Sequence, residues 1–265
     1  MRCLCGAVSL SVREDKHATG GIIFWHQVPL ITYYSRRIRA KAVSMNEQVL
    51  MRKTLERFRQ WAETTHSTTR YGEWECEYEG WGDIYESVRA VLRIPVERWD
   101  DDTKQLLIYA IARDNETELI SEELTDEQLL VLAATALNSD EWEAKWQLAE
   151  KLGKCSVVGE REKFLLAFAS DSHDYVRRRS LKTLADTGSM YVERLAIASW
   201  ETGEQYQQMM SLYALWRINS PMLASYLQLA EQDSRIYLSG VAGNIRNKVG
   251  EFSERRSDGK HAHPP

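Results

Sequence analysis

The sequence predicts an all-α protein whose C-terminal half is a short α-solenoid, and three observations carry that expectation. Apolar residues recur at helical rather than strand intervals through most of the chain. One helical segment, Asp171–Asp186, has counterparts at a nearly constant spacing. Five prolines and fourteen glycines in 265 residues leave few helix breakers or turn signals. Charged residues make up 28% and hydrophobic residues 43%, ordinary values for a folded soluble chain.

Residues 1–44 lack this periodicity and read as a poorly defined N-terminal segment. Within it, Ile22–Tyr34 is readable as a short strand or a poorly ordered segment. Cys3–Val12 is too short for a secretory h-region and is followed by Arg13, Glu14, Asp15 and Lys16. No run of 18–20 apolar residues exists anywhere in the sequence, so no membrane span is expected. The four cysteines, Cys3, Cys5, Cys76 and Cys155, are scattered rather than arranged as a disulfide framework. That usage suits a reducing, cytoplasmic setting.

The region 45–124 is predicted to be helical with an acidic aromatic stretch inside it. From Asn46, the positions Met51, Leu55, Phe58 and Ala62 form an apolar stripe that Trp61 widens. Arg52, Lys53, Arg57 and Arg59 lie around it, but Glu47, Glu56 and Glu63 interrupt the positive charge, which fits a solvated face of a packed helix. Thr64–Thr69 is a polar connector. In Tyr71–Glu86, the acids Glu73, Glu75, Glu77 and Glu79 alternate with Trp74, Cys76 and Tyr78. Alternation is strand periodicity, so an extended segment is expected with the acids outward and the rings inward. Gly80 and Gly82 end it. A helix follows from about Asp83 to Arg93 and stops at Pro95, and Asp100 to Thr103 caps the next, Lys104–Arg113.

Residues 125–250 hold the repeats. In Asp171–Asp186, Val176, Ser180, Leu181 and Leu184 share one helical face, with Asp171 and Ser172 ahead of it as oxygen acceptors for free amides. Leu152, Leu184, Leu215 and Ile245 correspond at offsets of 32, 31 and 30. A second apolar segment precedes each copy: Leu129–Leu137, Phe164–Ala169, Val192–Trp200 and Met222–Ala230. Helix–turn–helix units at this interval bury their faces by stacking on one another. Residues 251–265 read as a disordered tail whose His261 and His263 lack the fixed geometry of a metal site.

Asp171, Asp174, Val176, Arg177, Leu181 and Leu184 resemble the second helix of a HEAT repeat. The resemblance covers about 125–248. It implies that Val176 and Leu184 pack inward and that Arg177 pairs with an acidic turn residue of its own or an adjacent unit. Lys145, Gln208 and Leu238 take the Arg177 place in the other units, so a charge ladder is not expected to run through all of them. Separately, Cys3-Leu4-Cys5-Gly6 is similar to the opening of glutathione-dependent formaldehyde-activating proteins. The further clustered cysteines that a zinc site needs are missing, so no metal or cofactor is expected.

Charge is unevenly spread. Residues 1–72 carry 12 Lys+Arg and 5 Asp+Glu, a net of +7. Residues 73–127 carry 5 and 17, a net of −12, and residues 128–265 balance at 17 and 17. An acidic surface disfavours nucleic acid and draws basic proteins. No phosphate-binding glycine loop, nucleophile elbow or zinc helix is present. The expected function is therefore non-enzymatic binding of a basic protein partner through Glu73, Trp74, Glu75, Glu77, Glu79, Trp81 and Asp83. An immunity protein or inhibitor of a basic toxin is its sharper form. The alternative is a HEAT-like enzyme, such as a DNA-alkylation-repair glycosylase or a phycobilin lyase, with Arg177, Arg178 and Arg179 as its local support.

Overall fold

The structure, a computed structural model, describes the backbone of residues 30–65 and 73–257 and the side chains of residues 45–65 and 73–250. The expectations for Cys3, Cys5, the connector after Thr65 and the two tail histidines fall outside the described residues. By its internal contacts the chain divides into two units, Met1–Ala40 and Lys41–Pro265. Of the first, the described part is the helical backbone of residues 30–40.

Helix α1 (Leu30–Thr65) begins well ahead of the expected Asn46 and takes in Leu30–Tyr34, which had read as part of a strand. Pro29 stands just before it, and no proline or glycine interrupts residues 30–65. The buried side of its C-terminal half is the expected stripe of Met51, Leu55, Phe58 and Ala62. After a 3-10 turn (Trp74–Glu77) come α2 (Trp81–Leu92), a second 3-10 turn (Val96–Arg98), α3 (Asp101–Arg113) and the short α4 (Leu119–Glu122). Asp100 caps α3 as the sequence predicts, its side chain accepting from the Thr103 amide at 2.7 Å.

Four hairpins then follow: α5 (Asp126–Ala136) with α6 (Trp142–Leu152), α7 (Val158–Phe168) with α8 (Asp174–Asp186), α9 (Val192–Glu201) with α10 (Gln205–Arg217), and α11 (Leu223–Glu231) with α12 (Ile236–Ser257). Helix α12 runs into the segment that had read as tail from 251. Among the described residues there is no strand, and no helix is long and apolar enough to cross a membrane. The second unit is thus an all-α, solenoid-like stack. Helices α3, α6, α8, α10 and α12 pack one on the next as an inner row, while α5, α7, α9 and α11 lie beside them and bridge successive members.

The turns repeat as closely as the helices do. Ahead of α6, α8, α10 and α12, the side chains of Ser139, Asp171, Thr202 and Asp233 each accept from the amide two residues on. These positions are 32, 31 and 31 apart, and short oxygen side chains are what such turns need. Helix α8 ends on Gly188 at φ 72° and α10 on Asn219 at φ 53°. Each of those residues is followed by a serine whose amide reaches back to Leu184 and Leu215, at 3.0 and 2.9 Å. This is the left-handed cap that glycine and asparagine supply most cheaply. Ser189 and Ser220 then bond Glu162 and Glu193 of the preceding unit, both at 2.5 Å.

Leu152, Leu184 and Leu215 are fully buried, and Ile245 nearly so. Measured from the turns, the place of Leu215 falls on Arg246 in α12, which is exposed; Ile245, one residue earlier, takes the buried role. Ile245 itself stands where Thr183 and Ala214 stand on α8 and α10, both buried, and among the described residues α12 packs mainly on α10 and α11. Gly153, just past the end of α6, comes close to α8: a Cβ there would lie 3.0 Å from Thr183 Cγ2.

Between units the polar contacts differ from a plain charge ladder. Lys145 Nζ reaches the Asp171 carboxylate of the next unit at 2.8 Å. Arg177 instead donates to the carbonyls of Asp171 and Ser172, at 2.9 and 2.7 Å, because the Asp171 carboxylate already holds Lys145 and the His173 amide. The uncharged Gln208 keeps the link by accepting from Arg235 at 2.5 Å; in the last unit, measured from the turns, the place falls on Ser239 rather than on Leu238, and the Ser239 hydroxyl donates to the Arg235 carbonyl at 3.2 Å. Asp186 ties α8 to α10, accepting from Tyr213 at 2.6 Å and Arg217 at 3.0 Å. Burial and this carboxylate push the Tyr213 phenol up to about 12.

Candidate protein-binding site

The acidic aromatic stretch is not extended. Trp74–Glu77 is a 3-10 turn in which the amides of Cys76 and Tyr78 bond the carbonyls of Glu73 and Glu75, at 3.0 and 3.2 Å. A lone strand would leave those groups unpaired, whereas a turn satisfies them locally. Trp74, Tyr78, Trp81 and Tyr85 also recur at intervals of four, three and four. That helical spacing was the signal to read, and it prevails over the alternation of the acids.

The rings assemble against α1. Phe58 meets Tyr78 edge-on at 5.1 Å and Trp81 at 5.5 Å, and Trp61 stacks on Trp74 at 5.9 Å. Trp81 Nε1 donates to the Glu75 carbonyl at 2.7 Å. Trp74 is buried and Trp81 half-buried, so these two predicted contact residues build the base rather than the surface. Cys76, expected inside, is exposed. Glu73, Glu77, Glu79 and Glu86 are exposed, and Asp83 is exposed but paired with Arg57 at 3.0 Å.

Glu75 reverses its predicted direction. It is 3% exposed and turns toward Arg113 at the end of α3, whose Nη1 lies 3.6 Å from one of its oxygens. The same guanidinium bonds Glu141 at 2.6 Å and lies 3.4 Å from Glu143, both at the start of α6. One cation thus serves three carboxylates, one from the 3-10 turn and two from the start of α6. Glu75 Oε2 has no hydrogen-bond partner among the described residues. Burial pushes the carboxyls of both Glu75 and Glu143 above their ordinary range, only partly offset by Arg113. Arg59 covers the neighbouring Tyr109 ring at 4.3 Å rather than joining the carboxylates.

The second half of the inner row carries rings and arginines. Trp142 stacks on His173 at 4.1 Å. Arg178 pairs with Asp174 at 3.2 Å and lies over the rings of both Tyr175 and Tyr206, at 4.9 and 5.1 Å. Arg179 bonds Glu150 at 2.8 Å and lies 5.4 Å from the Trp146 ring. Arg113, Glu141 and Glu143 were not singled out by sequence reasoning. They lie far from Glu75 along the chain, and nothing local marks them as its neighbours. Among the described residues, no group of three His, Cys, Asp or Glu side chains is placed to hold a metal ion. Comparison with protein-family models, with curated proteins and with solved structures finds no match to this chain.

Proposed function

We propose that this chain is a HEAT-like α-solenoid that works without catalysis, as a binding module for a basic protein partner. The observation that carries this reading is the under-neutralised acid at the N-terminal end of the stack. Three carboxylates share Arg113, and Glu73, Glu79 and Glu86 lie exposed on the adjoining aromatic base. A rigid acidic face of this kind accelerates encounter with a cationic surface and loses its pull as salt screens it. Single exposed pairs contribute little, so several must act together. All three arginines of the run 177–179 are engaged by the chain's own carbonyls, carboxylates and rings, which favours this reading over a phosphate-tracking groove. In its sharper form the chain is an inhibitor or immunity-type protein that neutralises a basic toxin, and the same acidity supports it.

The test is salt-resolved co-purification. The tagged full chain should retain a protein of high isoelectric point from lysate at low salt and release it as salt rises. A variant with Glu73→Gln, Glu79→Gln and Glu86→Gln should retain much less of it, with an unchanged circular dichroism spectrum. Equal retention by the two proteins at every salt concentration would refute the reading.

A further inference from the structure

The turn residues Asp171, Thr202 and Asp233 place a tyrosine four positions later in three successive units: Tyr175 on α8, Tyr206 on α10 and Tyr237 on α12. The first two rings hold a cation between them. Arg178 lies over Tyr175 at 4.9 Å and Tyr206 at 5.1 Å, reaching from its own helix to the next. Helix α10 packs on α12 as α8 packs on α10, so Tyr206 and Tyr237 stand in the places of Tyr175 and Tyr206. Their cation is missing. The place of Arg178, three residues after the tyrosine, is Met209 on α10, and that side chain packs into the small core of Leu212, Leu227 and Leu238. On α12 the same place is Gly240, where an added Cβ would meet nothing within 4 Å.

The two tyrosines are open to solvent, Tyr206 at 55% and Tyr237 at 66% exposed. Among the described residues, Tyr237 makes no side-chain hydrogen bond and no ring or cation contact. The nearby arginines are already matched: Arg178 by Asp174 at 3.2 Å and Arg235 by Asp233 at 2.7 Å. Glu204, two residues ahead of Tyr206, is exposed and forms no ion pair among the described residues. Glu204 also acts on Arg235, and with it the carboxylates Asp174, Asp233 and Glu204 outnumber Arg178 and Arg235 by one.

We propose that Tyr206 and Tyr237 receive between them one arginine side chain of a protein partner, flanked by two rings as Arg178 is one unit earlier, with Gln205 in the place of the Asp174 carboxylate. A planar guanidinium suits two flanking rings better than an ammonium does, and it sheds water more readily. This rests on the basic-partner reading and gives the stack a second contact, on the inner row away from the acidic face.

The probe is the peptide acetyl-Gly-Arg-Gly-amide, titrated into the full chain carrying ring-labelled tyrosine and followed by NMR. The resonances of Tyr206 and Tyr237 should shift together and saturably. Tyr237→Leu should weaken binding about twofold to fivefold, the range of one exposed cation–ring contact. Met209→Arg, which supplies the chain's own guanidinium, should abolish the saturable shift. Because Tyr237 is exposed, its variant tests the idea even if Met209→Arg disturbs the core. No saturable shift at these two rings, or an unchanged Kd in Tyr237→Leu, would overturn the slot. Either result would leave the basic-partner reading standing, since that is judged by salt-dependent retention on the acidic face.

Discussion

Replacing Leu184 by alanine tests whether the stack behaves as one cooperative array. Leu184 is fully buried on α8, the helix that packs on α6, α7, α9 and α10. The change removes three carbon atoms from a site with no solvent access. At about 0.8 kcal/mol per buried CH2, the lost transfer energy is about 2.4 kcal/mol. The cavity adds to this, because a position held on four sides cannot collapse fully, and a total of about 3–4 kcal/mol is expected. In a stacked array the loss at a middle unit weakens the interfaces on both sides. For a unit of this size it should lower the melting midpoint by roughly 6–16 °C, taking about 2–4 °C per kcal/mol. Ile245→Ala is the comparison: among the described residues α12 packs mainly on α10 and α11, fewer elements than surround α8, so its change should cost less and show as fraying of α11 and α12. Hydrogen exchange with mass spectrometry reads the difference. Leu184→Ala should speed exchange across α6 to α10, and Ile245→Ala only in the last hairpin. Equal, local effects from both substitutions would refute the view of a continuous inter-unit core.

Arg113→Ala should cost about 3 kcal/mol at neutral pH, because it leaves buried carboxylates without their cation. The loss should shrink on acidification: the folded-state pKa values of Glu75 and Glu143 already lie above the ordinary 4.5. The repulsion is fully present above those raised values and is relieved as pH falls through them toward 4.5. Urea denaturation between neutral and mildly acidic pH checks the sign, and a gap between variant and wild type that widens on acidification would refute it. Gly188→Ala forces a side chain into the left-handed region at φ 72° and should cost about 1–2 kcal/mol, whereas Asn219→Gly should be neutral or slightly stabilising; thermal melts distinguish them. Once a partner is in hand, Glu73→Gln with Glu79→Gln should lower the association rate and flatten its dependence on salt, leaving dissociation nearly unchanged, as surface plasmon resonance would report.

By itself the sequence determined the local layer of this protein. The periodicity around Leu184, the acceptors Asp171 and Asp100, and the offsets near 31 fix where helices form and how often they repeat, because each depends on residues within a turn or two. The Asn219 cap follows the same local chemistry, whereas the bonds of Ser189 and Ser220 to Glu162 and Glu193 span 27 residues each and depend on how the helices stack. Tertiary structure decided the rest. Glu75 faces inward because Trp74, Tyr78 and Trp81 anchor the turn on Phe58 and Trp61, and because Arg113, distant in sequence, waits at the end of α3. The alternation of four glutamates with rings could not show this, since an isolated strand without a partner loses to a turn that closes its own hydrogen bonds. Which cation meets which carboxylate, and that Arg178 spans two tyrosines while Met209 turns away into the core, depends on how neighbouring helices stack. That stacking is set by the summed packing of many side chains far apart in the chain, and no short stretch of sequence encodes it.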